Sequence, residues 1–287
     1  MAFLFSVASF ASETVVKQPI HVGKKTFQAA LTSFNNKPAT QFIVATMGTG
    51  VYCAQKNIPT EFAELAAKNS TAILTLEKPG VDCESAKVIR AEFAEYSRED
   101  VVEATALAIV WAEKELGVRA PRVLWGHSEG AQVLTNVVHN HAKLFVDRPI
   151  ELLLTSPAMN FRELLEFQIP DSSQRETFLE AIKRRDDSFL LKARNGNISA
   201  AYWENIFADE SLAETLEQSL ADEKNLKVAL FWGTNDTQCS SNSTCEIVGK
   251  LRKKFPERVQ GASFNDGHSI ENHMDAIANF LERSLRD

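Results

Sequence analysis

The sequence has no run of the roughly 18 apolar residues that a membrane-spanning helix needs. It has no Cys-x-x-Cys, and its Cys and His spacings do not suit zinc. Basic residues are in the minority: 31 Lys and Arg stand against 38 Asp and Glu, for a formal net charge of -7. Binding a phosphate backbone requires clustered cations, so nucleic acid is excluded as the main partner. The one basic run, Lys183-Arg184-Arg185, is followed at once by Asp186-Asp187 and reads as a solvated helix face. Only 12 Gly and 9 Pro occur in 287 residues, which excludes collagen-like and low-complexity chains. No internal repeat is present. Stable membrane insertion is not expected, and neither is a metal or organic cofactor.

What remains is an ordinary globular composition, 44% hydrophobic and 24% charged, on a chain long enough for one large α/β domain. The first residues, MAFLFSVASFASE, form an apolar stretch followed by small residues that resemble a cleavage site. Residues 1–11 therefore read as an export signal, although the positive n-region is missing. Four cysteines, Cys53, Cys83, Cys239 and Cys245, make an even count that fits an oxidising compartment. A periplasmic or secreted protein is expected; without a true signal the location would be cytoplasmic.

Strand-like and helix-like segments alternate along most of residues 12–287. TVVKQPIHV and KTFQAALTSF flank Gly23 and suggest a hairpin. Short apolar strands follow at QFIVATM, AILTL, RVLW, ELLLT and KVALFW, with helical patterns between them. Such alternation implies a mostly parallel sheet covered by helices on both faces. From about Phe161 to Asn225 no convincing strand appears, so the stretch of about 157–225 reads as an all-helical insertion. Its phenylalanines, Phe161, Phe167, Phe178, Phe189 and Phe207, are expected to pack a core under that insertion rather than line an acyl site.

The strongest local signal is Gly126-His127-Ser128-Glu129-Gly130, between the strand RVLW and the helix AQVLTNVVHNHAKLF. This is the strand–turn–helix setting of a nucleophile elbow, where flanking glycines admit a strained serine whose hydroxyl projects from the sheet edge. A serine hydroxyl is a weak nucleophile and needs a base. His268, in the polar loop Asn265-Asp266-Gly267-His268-Ser269 after the last strand, fits that role. The His127 side chain, within the elbow, should point away from it. His139 and His141 are two apart on one helix and face different directions. Asp236, in Gly233-Thr234-Asn235-Asp236 directly after KVALFW, would hold the tautomer of the base. Asp266 is the rival, two residues from His268. The oxyanion requires two N–H donors: one from Glu129, the other from the loop Met47-Gly48-Thr49-Gly50, with Thr49 preferred to Gly50.

The order Ser128, Asp236, His268, each after a strand, resembles the α/β-hydrolase superfamily, and the GHSEG elbow with a helical insertion behind it is similar to bacterial esterase and lysophospholipase-like members. The resemblance spans roughly residues 20–287. It implies a mainly parallel eight-stranded sheet and a cap between the sixth and seventh strands. It also implies a serine hydrolase acting on a small-molecule carboxylic ester or thioester; a peptidase on the same fold and a binding protein without turnover are the alternatives. Two positions depart from the common pattern: Met47 stands where many relatives have His, and Ala131 where many have a second Gly. In the implied fold Cys53 and Cys83 follow neighbouring strands, so a Cys53–Cys83 bridge is expected, with a second, Cys239–Cys245, bracing the acid loop. Oligomeric state and acyl chain length are left open.

Overall fold

The computed structural model describes residues 13–34, 38–48, 53–79, 81–83, 87–88, 96–119, 123–146, 148–159, 161–184, 186, 188–193, 196–200 and 211–286. The leader-like segment over residues 1–11 lies outside them, as do Thr49 and Gly50.

Eight strands form one sheet in the order β1-β2-β4-β3-β7-β8-β11-β12. β1 (Glu13–Val22) and β2 (Lys25–Phe34) make the antiparallel hairpin expected around Gly23, whose φ of 57° suits the turn. β2 then pairs antiparallel with β4 (Thr71–Glu77). All later neighbours are parallel: β4 with β3 (Gln41–Thr46), β3 with β7 (Val123–His127), β7 with β8 (Ile150–Thr155), β8 with β11 (Leu226–Gly233), and β11 with β12 (Val259–Phe264). β5 (Val81–Asp82) and β6 (Lys87–Val88) form a separate two-residue pair.

Parallel strands are buried on both faces, and the period of two divides their side chains between two cores. Val44, Leu74, Leu124, Leu152, Leu154, Val228 and Leu230 belong to one core. It is completed by α2 (Arg98–Leu116), α3 (Glu129–Asn140), α6 (Leu212–Asp222) and α7 (Ser241–Lys254). Ile43, Ile73, Val123, Trp125, Leu153, Ala229 and Phe231 belong to the other, beneath α1 (Thr60–Lys68) and α8 (Met274–Arg286). Helix α2 shows how sharply the sequence marks its ends. Ser97 and Asp100 exchange the two hydrogen bonds of a capping box, and Gly117 closes the helix at φ 64°.

Between β8 and β11 lie α4 (Phe161–Gln168), α5 (Ser172–Lys183) and α6, but the expectation of an all-helical stretch fails. β9 (Leu190–Ala193) and β10 (Gly196–Ser199) pair as an antiparallel hairpin. At four residues each, with weak alternation, the two strands are too short to stand out in the sequence. Phe178 is fully buried and its ring lies 6.2 Å from that of Phe189, so these two pack as expected of a core. Among the described residues no helix is long and apolar enough to cross a membrane.

Candidate active site

β7 runs into α3 through Ser128, which has φ 54° and ψ -118°, a conformation that L side chains rarely adopt. Two backbone hydrogen bonds and one side-chain bond hold the turn. The Ser128 N–H donates to the Thr155 carbonyl at 2.9 Å, and the Ala131 N–H to the Ser128 carbonyl at 3.0 Å. The Thr46 hydroxyl, at the end of β3, donates to the Gly130 carbonyl at 3.0 Å. The glycines of the motif are sterically required. A Cβ on Gly126 would stand 2.6 Å from the Gly130 carbonyl oxygen, and one on Gly130 would stand 2.2 Å from the Thr46 carbonyl oxygen. Ala131 is fully buried in the core of α3, so the departure there is accommodated by a small side chain.

His268 and Asp236 come together at the same sheet edge. The two are joined by a 2.8 Å hydrogen bond between Nδ1 and Oδ2, with both side chains buried. A carboxylate only accepts, so Nδ1 carries the proton and Nε2 is left as the basic atom. The other Asp236 oxygen, Oδ1, accepts the N–H groups of Gln238 at 2.7 Å and Cys239 at 2.9 Å. The loops bearing Asp236 and His268 touch backbone to backbone. A Cβ on Gly233 would stand 2.2 Å from the Gly267 carbonyl oxygen, and the Asn235 N–H donates to the Asp266 carbonyl at 3.0 Å. The rival Asp266 is used otherwise: it accepts the N–H of Gly267 at 2.8 Å and of Asn272 at 2.9 Å, tying down the start of the final helical segment.

Two supports were not legible as such in the sequence. Ser156, at φ 47° after β8, donates its hydroxyl to the His268 carbonyl. Lys78, directly after β4, reaches the Glu129 carboxylate at 2.9 Å and the Gly48 carbonyl at 3.1 Å. Side chains that cross between sheet-edge loops leave no spacing pattern, so only the assembled fold reveals them.

The His127 ring does not turn away from the base. Its centroid lies 5.0 Å from that of His268, and its Nδ1 hydrogen-bonds the Thr155 hydroxyl at 3.1 Å, which fixes it there. Burial, with the neighbouring His268 as the next cause, lowers the His127 pKa to about 3. The ring is therefore neutral around pH 7 and places no charge beside the base.

The cysteines divide differently from the expectation. Cys53 and Cys83 are bridged, with Cα atoms 5.0 Å apart. Beside the bridge, buried Glu77 accepts the N–H groups of Ala54 at 2.7 Å and Gln55 at 2.9 Å. Burial raises its pKa, against those two hydrogen bonds. The expected Cys239–Cys245 bridge is absent: both are free. Cys239 is buried beside Asp236, whereas Cys245, one turn into α7, faces solvent, so the two sulfurs point apart. Burial, and secondarily the Asp236 carboxylate, pushes the Cys239 thiol well up and keeps it protonated. Among the described residues, two groups bring three metal-ligand atoms within 4.8 Å of one another: Cys53, Glu77 and Cys83, and Asp236, Cys239 and His268. In the first the sulfurs are spent on the bridge. In the second two of the donors are spent on each other.

No protein-family model and no curated protein matches the chain. Solved structures do. Est1E from Butyrivibrio proteoclasticus aligns at a TM-score of 0.65 and 14% identity, covering 94% of this chain and 99% of that one. The α/β hydrolase GrgF from Penicillium aligns at 0.64 and 13%, covering 96% and 100%. The Pyrococcus furiosus esterase Pf2001 aligns at 0.61 and 11%, covering 95% and 90%. The strand order, the strained serine between β7 and α3, and these whole-length alignments together establish that the chain has the α/β-hydrolase fold.

Proposed function

We propose that the protein is a serine hydrolase that cleaves a small-molecule carboxylic ester or thioester through an acyl-enzyme on Ser128. The observation that carries this reading is the strained Ser128 at the β7–α3 turn, with the His268–Asp236 pair against the adjoining His127. Nε2 of His268 takes the Ser128 proton as Oγ attacks the acyl carbonyl, and Asp236 stabilises the imidazolium that results. Backbone N–H groups of Glu129 and Thr49 receive the oxyanion. The imidazolium then protonates the leaving alcohol or thiol, and water, deprotonated by His268, releases the acid. Residues 157–225 act as the cap over the acyl site. The esterase neighbours support this reading. The Cys53–Cys83 bridge is consistent with export.

The test is labelling by a fluorophosphonate together with turnover of nitrophenyl esters, thioesters and aminoacyl-nitroanilides. Hydrolysis of the esters, with labelling and turnover both abolished in Ser128→Ala, is the expected result. Undiminished hydrolysis by Ser128→Ala would sink it, and preferential cleavage of the nitroanilides would make the protein a peptidase.

A further inference from the structure

His127 takes no part in the reaction as written, yet it is the side chain held most deliberately at the sheet edge. It ends β7, and the period of two along a strand puts it on the same face as Trp125, two residues earlier. Its register partner on β8 is Thr155. A single hydroxyl serves both rings. Trp125 Nε1 donates to Thr155 Oγ1 at 3.1 Å, and His127 Nδ1 meets the same oxygen at 3.1 Å. An indole N–H only donates, so it takes one lone pair of that oxygen. The hydroxyl proton and the second lone pair remain, and the bond to Nδ1 forms with either neutral tautomer of His127. The Thr155 carbonyl in turn accepts the Ser128 N–H at 2.9 Å. One residue of β8 thus fixes both the His127 ring and the backbone of the serine beside it.

His268 is held differently. Asp236 grips its ring by the Nδ1 edge at 2.8 Å, and the Ser156 hydroxyl grips its backbone at the carbonyl. A hydrogen bond at one edge fixes a point, and a ring can rock about that point and sweep Nε2 through an arc. His127 meets the ring itself: the two centroids lie 5.0 Å apart with their planes inclined by 59°, the separation of packed aromatic rings. We infer that His127 is a positioning residue for the base: its ring, anchored on Thr155, is the wall against which His268 rests, so that Nε2 stays where the Ser128 proton is taken. His127 touches no reacting atom, and its effect passes through the orientation of the His268 ring.

This inference rests on the proposed ester hydrolysis, and the experiment separates the two. The parent enzyme, His127→Asn, His127→Gln and His127→Phe are compared on one nitrophenyl ester that the parent turns over, and in their rates of labelling by a fluorophosphonate. Urea midpoints establish that each variant is folded. Asparagine and glutamine keep an amide to meet the Thr155 hydroxyl but have no ring. Phenylalanine keeps a ring against His268 but has no atom to bond Thr155. A misplacement of about 1 Å in a reacting group costs up to about 10²-fold, so a base left to rock should cost about 10–100-fold. Both amide variants are expected to lose that factor in kcat and in labelling rate, with KM nearly unchanged. His127→Phe should recover most of both. The amide variants are two chemically different removals of the ring, so misfolding of one leaves the comparison with the other. An amide variant with kcat within about threefold of the parent overturns the role of His127 alone. So does a His127→Phe variant as slow as the amides, which would make the Thr155 bond and not the ring the part that matters. A parent that turns over no ester and takes no fluorophosphonate overturns the hydrolase reading, and the role of His127 with it.

Discussion

In the proposed reaction Ser128 carries two opposed demands, a reactive hydroxyl and a backbone that its Cβ resists. A residue held at φ 54° and ψ -118° costs of order 1–3 kcal/mol, and glycine relieves most of that while adding disorder to the unfolded chain. Ser128→Gly should therefore abolish hydrolysis and raise stability by about 1 kcal/mol, read as a higher urea midpoint at constant slope. A destabilised Ser128→Gly would show that the turn is not strained. His127 bears on acid sensitivity. Its pKa is about 3 in the fold and near the ordinary 6.5 when unfolded, so the unfolded chain takes up the proton first as pH falls. Stability contributed by the neutral ring is complete above pH ~6.5 and drains away down to pH ~3. His127→Gln should lose less stability between pH 7 and pH 4.5 than the parent does, by urea titration at both values. An equal loss would mean that His127 is not buried as a neutral ring.

The residues of the site show why some of it was readable and some was not. Gly126, Ser128 and Gly130 are adjacent in the chain, and their steric logic is local; a pentapeptide suffices to announce it. Asp236 and His268 could be named because each follows a strand with a turn residue beside it. Lys78 and Ser156 could not, since their partners lie in other loops and a lone lysine or serine has many uses. The His127 ring was misplaced for the same reason: its direction is set by Thr155 on the next strand, not by its own neighbours.

Among the elements, the sheet strands were legible because a parallel strand is an unbroken apolar run bounded by polar turns. β9 and β10, at four residues each, are neither long nor apolar enough for that signal. The bridges separated on geometry that spacing does not contain. Cys53 and Cys83 leave neighbouring strands, whereas Cys239 is held inward by its N–H bond to Asp236 just before α7 begins. Native protein treated with iodoacetamide should therefore gain one label, at Cys245, and a second, at Cys239, only after unfolding. Two native labels, or none, would contradict this division. Replacing Cys53 and Cys83 together by Ala should cost roughly 2–5 kcal/mol, because an open loop of 30 residues regains entropy in the unfolded chain. A urea midpoint insensitive to that change would mean the bridge is not formed.

At the scale of the whole molecule, among the described residues β12 lies at one border of the sheet and pairs only with β11. Strand and proposed base are inseparable: His268 follows the end of β12, and the β11–β12 register places Gly233 opposite Phe264. Parallel pairings between distant segments close slowly, and a border strand has one partner instead of two to draw it in. Biosynthesis delivers β12 long after β7, so a nascent chain can carry Ser128 well before it possesses His268. Refolding of the oxidised protein from urea should follow the same calendar, with hydrolysis recovering after the far-ultraviolet helix signal. Simultaneous recovery of the two would place β12 in the early structure instead. Turnover would then serve as a clock for completion, counting only the molecules in which β12 and the loop bearing His268 have reached their place.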